Sequence, residues 1–185
     1  MTGLIILAII VAAIGYAIFL YNDLVSKRQL KEEGWSGIDV QLKRRTDLIP
    51  NLMETVKGYM SHERDTLEAV VQARAAATAG SNAGPAERSG LEGALSGALG
   101  KLIAVAEAYP DLKANTTFLE FQSALRGVED EIQLARRYYN GAVRNLNTAV
   151  ESFPQTVIAS TFKFEKSEYF ELENDAERAV PTVKF

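Results

Sequence analysis

Residues Gly3 to Tyr21, GLIILAIIVAAIGYAIFLY, form one apolar run without a charged side chain. At ~1.5 Å of rise per helical residue the run reaches roughly 28 Å, about the hydrocarbon thickness of a bilayer. Inside lipid every peptide N–H and C=O must be satisfied within the chain, and a single helix does this unaided. A transmembrane anchor over residues 3–21 is the first expectation. A cleaved signal peptide would want a basic n-region, a shorter apolar core and a small-residue cleavage site. Only Met1 and Thr2 precede the run, which ends in bulky Phe19-Leu20-Tyr21. A retained anchor fits better. Lys27, Arg28 and Lys31 come soon after it and no basic side chain precedes. The positive-inside rule then places the N-terminus outside and the remainder in the cytoplasm.

Roughly 160 residues lie beyond the anchor, enough for one domain with a core of its own. The 24 acidic residues against 20 Lys and Arg give a formal net charge of −4, so the basic footprint that nucleic-acid binding needs is missing. The one basic knot, Lys43 to Arg45, reads as a solvated helix face near anionic lipid. The sequence has no Cys, which excludes disulfides, zinc-thiolate sites and a thiol nucleophile.

Helical spacing dominates after the anchor. Phe118, Phe121, Leu125, Val128, Ile132, Ala135, Tyr139, Ala142, Leu146, Ala149 and Phe153 alternate steps of three and four, a heptad seam that predicts one long helix. Thr117-x-x-Glu120 offers a capping box at its start, and Pro154 a stop at its end. A second helix carries Leu91, Leu95, Ala98, Leu102, Val105 and Tyr109, stopped by Pro110. It contains Gly90, Gly93, Gly97 and Gly100, each costing about 1 kcal/mol against alanine in a helix interior. Close approach of a neighbouring helix explains them better than a loosely formed first turn. Upstream, Trp35, Ile38, Leu42, Ile49, Leu52, Val56 and Tyr59 keep a seam in which Arg45 stands where an apolar residue belongs.

Pro50 predicts a kink there, or a new helix beginning near Thr46-Asp47. The fold class is therefore all-α: a single transmembrane helix continuing into an antiparallel bundle of three or four long helices over residues 22–160. The segment 161–185 changes character. Phe162-x-Phe164 and Val183-x-Phe185 alternate with period two, which suits an extended tail. Its aromatic residues are too many for a solvated end, so Phe162, Phe164, Tyr169, Phe170, Val183 and Phe185 are candidate contacts in a homo-oligomer or on the chain's own bundle.

Chemistry is scarce. His62 is the only histidine, which rules out a multi-histidine metal centre and reads as a surface residue. Glu129, Asp130 and Glu131 lie opposite the Val128/Ile132 stripe and are expected to face water. No phosphate loop, nucleophile elbow or dinucleotide fingerprint occurs. The expectation is a non-enzyme without cofactor or metal. The one polar constellation is KRRTDLIPNL, residues 43–52, where Arg45, Asp47 and Asn51 surround Pro50. It reads as a capped kink that sets bundle register, with Asp or Asn satisfying the backbone that proline frees and Arg45 pairing with Asp47 or a facing carboxylate. The alternative is a polar surface for a partner.

The runs EEGWSGIDVQLKRRTDLIPNLMETVKGYMSHE (32–63), AVAEAYPDLKAN (104–115), ARRYYNGAVRNLN (135–147) and AVPTVKF (179–185) closely resemble the LemA family. The resemblance covers nearly the whole chain. It implies a bacterial inner-membrane protein with an N-terminal span, a cytoplasmic antiparallel helical domain and no established catalytic residues. Some relatives take part in forming magnetosome membranes, which implies a membrane-organising role. This sequence departs from the usual pattern at Phe162-Lys163-Phe164, where glycine is common between the phenylalanines, and at Glu165-Lys166-Ser167, where proline is often found. Two function classes remain. One is a scaffold that self-associates at the bilayer or organises partner proteins. The other is an accessory or sensor subunit that binds a membrane enzyme or ligand through the KRRTDLIPN region.

Overall fold

The computed structural model of the chain describes residues 1–171, so Val183 and Phe185 lie outside the described residues. The described residues form α1 (Thr2–Lys57), α2 (Arg64–Ala79), α3 (Pro85–Ala106), α4 (Pro110–Lys113), α5 (Thr116–Glu151) and α6 (Gln155–Thr161), with a 3-10 turn at Gly80–Asn82. No strand occurs among them, and the class is all-α. The described residues divide into two compact units, residues 1–38 with 135–169, and residues 39–134 with 170–171.

In the first unit, α1 starts as a bare apolar rod: Leu4, Ile5, Ile6, Leu7, Ile9, Ile10, Val11, Ile14 and Phe19 are all exposed. Packing begins at its far end. Leu24 is buried with Ala149, Ala159 and Phe164, and Tyr21, Val25, Val150 and Ile158 pack around them. Gln155 Nε2 donates to Asp23 Oδ2 at 2.6 Å, which ties the start of α6 to α1. Farther along α1, close approach falls at Gly34, where an added Cβ would stand 3.0 Å from Tyr139 Cα and from Tyr138 Cδ1. Trp35 packs beside it, its ring 5.3 Å from that of Tyr139.

The turn after α6 has a definite mechanism. Phe162 N–H donates to Ile158 O at 3.0 Å and Phe164 N–H to Ala159 O at 2.9 Å. The second bond is the long closing bond of a Schellman motif, with its usual apolar contact between Phe164 and Ala159. The residue between them, Lys163, has φ 57°, the left-handed conformation that glycine adopts at this position without strain. Beyond the turn the segment is extended and docks on the chain's own α5. Asn147 Nδ2 donates to Ser167 O at 2.9 Å, and Ser167 N–H donates back to Asn147 Oδ1 at 2.8 Å. Tyr139 Oη donates to Glu168 O at 2.9 Å. Burial and nearby Glu168 push the Tyr139 hydroxyl up to about 12, so it remains a donor across the physiological range.

In the second unit, α1, α2, α3, α4 and α5 supply Ile49, Val70, Leu102, Leu112 and Leu125 among others to one apolar core.

Four expectations need correction. Of the two alternatives at Pro50, the new helix near Thr46-Asp47 does not occur, because α1 runs through the proline to Lys57. The long helix is capped by Asn115, whose Oδ1 accepts from Phe118 N–H at 3.0 Å, rather than by Thr117. Its seam stops one step early, since α5 ends at Glu151 and Phe153 is 83% exposed. The four α3 glycines face open space, with nothing within 4 Å of an added Cβ, so none marks a close helix approach. Of the tail residues expected to pack in a homo-oligomer or on the chain's own bundle, Phe164 and Phe170 are buried within this chain, whereas Phe162 and Tyr169 are exposed.

Gly34→Ala is expected to destabilise the protein by about 1–3 kcal/mol, because its methyl meets the backbone of a packed helix that cannot step aside. Gly97→Ala, in open helix, should stabilise by about 0.5–1 kcal/mol. Thermal denaturation in detergent separates the two, and equal shifts would refute the placement of Gly34. Lys163→Gly relieves the left-handed strain at the Schellman turn and should stabilise by about 1 kcal/mol in the same assay.

Candidate functional site

Ile38, Leu42, Arg45, Ile49, Leu52 and Val56 repeat every three or four residues along α1, which carries Arg45 to the inner face of the helix. The structure leaves it 1% exposed. A guanidinium in such a place demands acceptors for its donors and a compensating charge. Its Nη1 donates to Ser96 Oγ at 2.6 Å and to Glu129 Oε2 at 2.9 Å. Its Nη2 donates to Glu92 Oε2 at 2.6 Å and to the Glu92 carbonyl at 3.2 Å. Glu92 is also 1% exposed. One cation thus binds α1 to α3 and to α5.

The network extends along α3. Arg88 Nε lies 3.8 Å from Glu92 Oε1, one helical turn away. Arg88 Nη2 donates to Asp39 Oδ1 at 2.6 Å, and Nη1 to the Ser81 carbonyl at 2.9 Å. Ser89 Oγ donates to the Glu171 carbonyl. Two buried guanidinium groups therefore face three carboxylates, of which Asp39 and Glu129 reach toward solvent while Glu92 does not. With Arg45, Arg88 and Glu92 enclosed, the arrangement holds helices in one register. No group of three or more His, Asp or Glu side chains among the described residues is arranged to hold a metal ion.

The four residues singled out around Pro50 do not form one surface. Arg45 is buried, Pro50 is half-buried, and Asp47 and Asn51 are exposed. Asp47 pairs with Lys43 at 2.9 Å, one turn back on the same helix. The Asn51 carbonyl accepts from Thr55 Oγ1 at 3.0 Å. Proline at position 50 removes an N–H and so frees the carbonyl of Thr46. That carbonyl accepts from Arg74 Nε of α2 at 3.1 Å. A carboxylate could never have filled this role, because it too is an acceptor. Arg74 does so, and α1 continues as helix to Lys57. Glu129, expected in water, is 38% exposed at its side chain and bound to Arg45. His62 is exposed.

Glu92, Arg88, Ser96 and Arg74 escaped the sequence reading. The buried positions of α3 are Arg88, Ser89, Glu92, Leu95, Leu99, Leu102 and Ala106, so the true seam continues Leu95 backwards into Glu92 and Arg88. Placing Leu91 on the seam hid it. The available signal was a complementary pair of interruptions, a cation at Arg45 on one seam and an anion at Glu92 on another.

Arg74→Met and Glu129→Ala are each expected to destabilise by about 1–2 kcal/mol through loss of a charge-assisted hydrogen bond. Asp47→Ala should fall within about 0.5 kcal/mol, since it removes only an exposed ion pair. Denaturation midpoints of the three variants check the order, and an Asp47 effect larger than the Arg74 effect would contradict the assignment at Pro50.

The chain is 24% identical over 186 residues to magnetosome protein MamQ 2 of Paramagnetospirillum magneticum, covering 88% of this chain and 68% of that protein. Magnetosome protein MamQ of Magnetospirillum gryphiswaldense is 25% identical over 87% of this chain and 68% of its own length. Protein LemA of Metamycoplasma hominis is 28% identical over 80% of this chain and 69% of its own. The sequence pattern described as the LemA family matches residues 34–185, which include Arg45, Glu92 and Glu129. The chain belongs to the LemA family.

Proposed function

We propose that the protein is a non-catalytic helical scaffold of the bacterial inner membrane, which self-assembles and organises membrane or partner proteins there. One observation carries the reading. The exposed apolar stretch of α1, from Leu4 to Phe19, belongs to the same unbroken helix that supplies Leu24, Ile38 and Ile49 to the packed interior. Contiguous apolar surface on this scale has no stable contact with water, and its length suits a bilayer. Lys27, Arg28 and Lys31 just beyond it favour a cytoplasmic location for the helical domain. The scaffold reading draws further support from the enclosure of Arg45, Arg88 and Glu92, which commits the buried charges of the second unit to helix register. Copies confined to one bilayer also meet at high local concentration, which favours lateral association. The magnetosome names of two relatives fit a membrane-organising role.

The second reading is an accessory or sensor subunit that engages a membrane enzyme or ligand through residues 43–51. Exposed Lys43, Arg44, Asp47 and Asn51 favour it; the commitment of Arg45 to Glu92 and Glu129 removes the cation that such a surface would most use. Size measurement of the full chain in mild detergent decides between them. The scaffold reading expects carbonate-resistant membrane association and discrete assemblies of several copies. A monomer that captures a single partner, and loses it on substitution of Asp47 and Asn51, would establish the accessory role instead.

A further inference from the structure

We propose that α6 and the Phe162 turn form a second, interfacial contact with the bilayer, with Phe153, Val157 and Phe162 seated at the headgroup–acyl boundary beside the exit of α1. The proposal rests on the reading that the start of α1 spans the membrane, and goes beyond it by assigning a lipid-facing surface more than a hundred residues away in sequence.

The level of this surface is fixed by Tyr21, the last residue of the apolar run. Its ring lies 4.8 Å from that of Phe162 and 5.8 Å from that of Phe164. A helical side chain leans toward the N-terminus of its helix and covers the turn before its own Cα. Tyr21 therefore meets Phe162 alongside the final turn of the run, where a spanning helix leaves the hydrocarbon. Leu20, one residue earlier, is already buried, whereas Phe19 remains exposed. One side of that turn is covered by protein and the other is free to face lipid.

The surface presented there is apolar. Phe162 is 57% exposed, and Phe153 and Val157 are exposed with it. Phe153 and Val157 are four residues apart in sequence, while Ile158 and Ala159 turn inward to the core of the unit. Both hydroxyls at the end of α6 are paired within the chain. Ser160 Oγ donates to the Val157 carbonyl at 3.0 Å, and Thr161 Oγ1 donates to the same carbonyl at 2.8 Å. The Schellman bond from Phe164 N–H occupies the Ala159 carbonyl in the same way. Backbone and hydroxyl groups paired internally are what a poorly hydrated boundary requires. Aromatic residues favour this boundary, and an amphipathic segment lying in it buries its apolar face about 5–10 Å deep. Basic groups lie near this surface: Arg28 is 5.2 Å from the Phe164 ring centre, Lys163 is exposed, and exposed Lys166 pairs with Glu151 at 2.7 Å.

The cysteine-free full chain allows a direct test. Single substitutions Ile10→Cys, Ser36→Cys, Val157→Cys and Phe162→Cys carry an environment-sensitive fluorophore in vesicles of phosphatidylcholine and phosphatidylglycerol. Quenching is read with lipids spin-labelled high on the acyl chain and with aqueous iodide. The expected result is blue-shifted emission at 157 and 162, lost to the spin-labelled lipid and resistant to iodide, with the reverse at 36. Labels at 157 and 162 quenched by iodide alone, while the label at 10 is lipid-quenched, overturn the interfacial contact and leave the span intact. Labels at 157 and 162 shielded from both quenchers overturn it in favour of a second copy of the chain. A label at 10 that iodide reaches overturns the span and this contact together.

Discussion

A guanidinium group withdrawn from water loses several kcal/mol of hydration unless carboxylates and carbonyls replace it. Arg45 imposes that requirement on the second unit, and the positions of three helices answer it. Glu92 and Ser96 come from α3, Glu129 from α5, and α1 carries the cation itself. An apolar seam tolerates sliding by a turn at modest cost, because one leucine resembles the next. An ion pair at 2.6 Å does not. Displacing α3 by one turn would leave a buried charge on each side without a partner, and that penalty exceeds any gain in apolar contact. The enclosed pair is therefore better understood as a device of specificity than as a source of net stability. Arg88 extends the same logic along α3, holding Glu92 from the other side and reaching Asp39 on α1.

A second constraint acts on the first unit. Its helix begins with a surface that only lipid can solvate, and its first packed residues, Leu20 and Leu24, come within a turn of the end of the run. The aromatic cluster of Tyr21, Phe162 and Phe164 closes that junction. The segment after α6 is held by Asn147 and Tyr139, so its extended backbone gains hydrogen bonds from α5 rather than from a neighbouring strand. Aromatic content that suggests either a clasp between subunits or a cover on the chain's own bundle is thus divided between burial in the chain's own interior, at Phe164 and Phe170, and exposure at Phe162 and Tyr169.

Much of the fold was legible because helical periodicity is a property of adjacent residues. The seam from Phe118 to Phe153 places α5 to within two residues at either end. The apolar run was equally plain. Periodicity says nothing about what lies across the interface, and the failures share that cause. A new helix near Pro50 was among the expectations because Arg74, 28 positions after Thr46, could not be seen to supply the donor that the freed carbonyl needs. Glu129 looked solvated because its partner lies 84 positions away. The glycines of α3 suggested a close neighbour, whereas the contact that does require glycine is at Gly34, which carries no local mark. Lys163 shows the converse. Its left-handed conformation was foreshadowed by the glycine common there in the family pattern, since only a special backbone position prefers glycine between two phenylalanines.

A double-mutant cycle on Arg45→Met and Glu92→Met, read by chemical denaturation of the full chain in detergent, tests the central interaction most directly. Each single variant should be strongly destabilised, by about 3–5 kcal/mol, because it strands the opposite charge. The double variant should recover much of that loss, giving a coupling energy above about 1 kcal/mol. Additive effects within about 0.5 kcal/mol would contradict a lock formed by these two side chains.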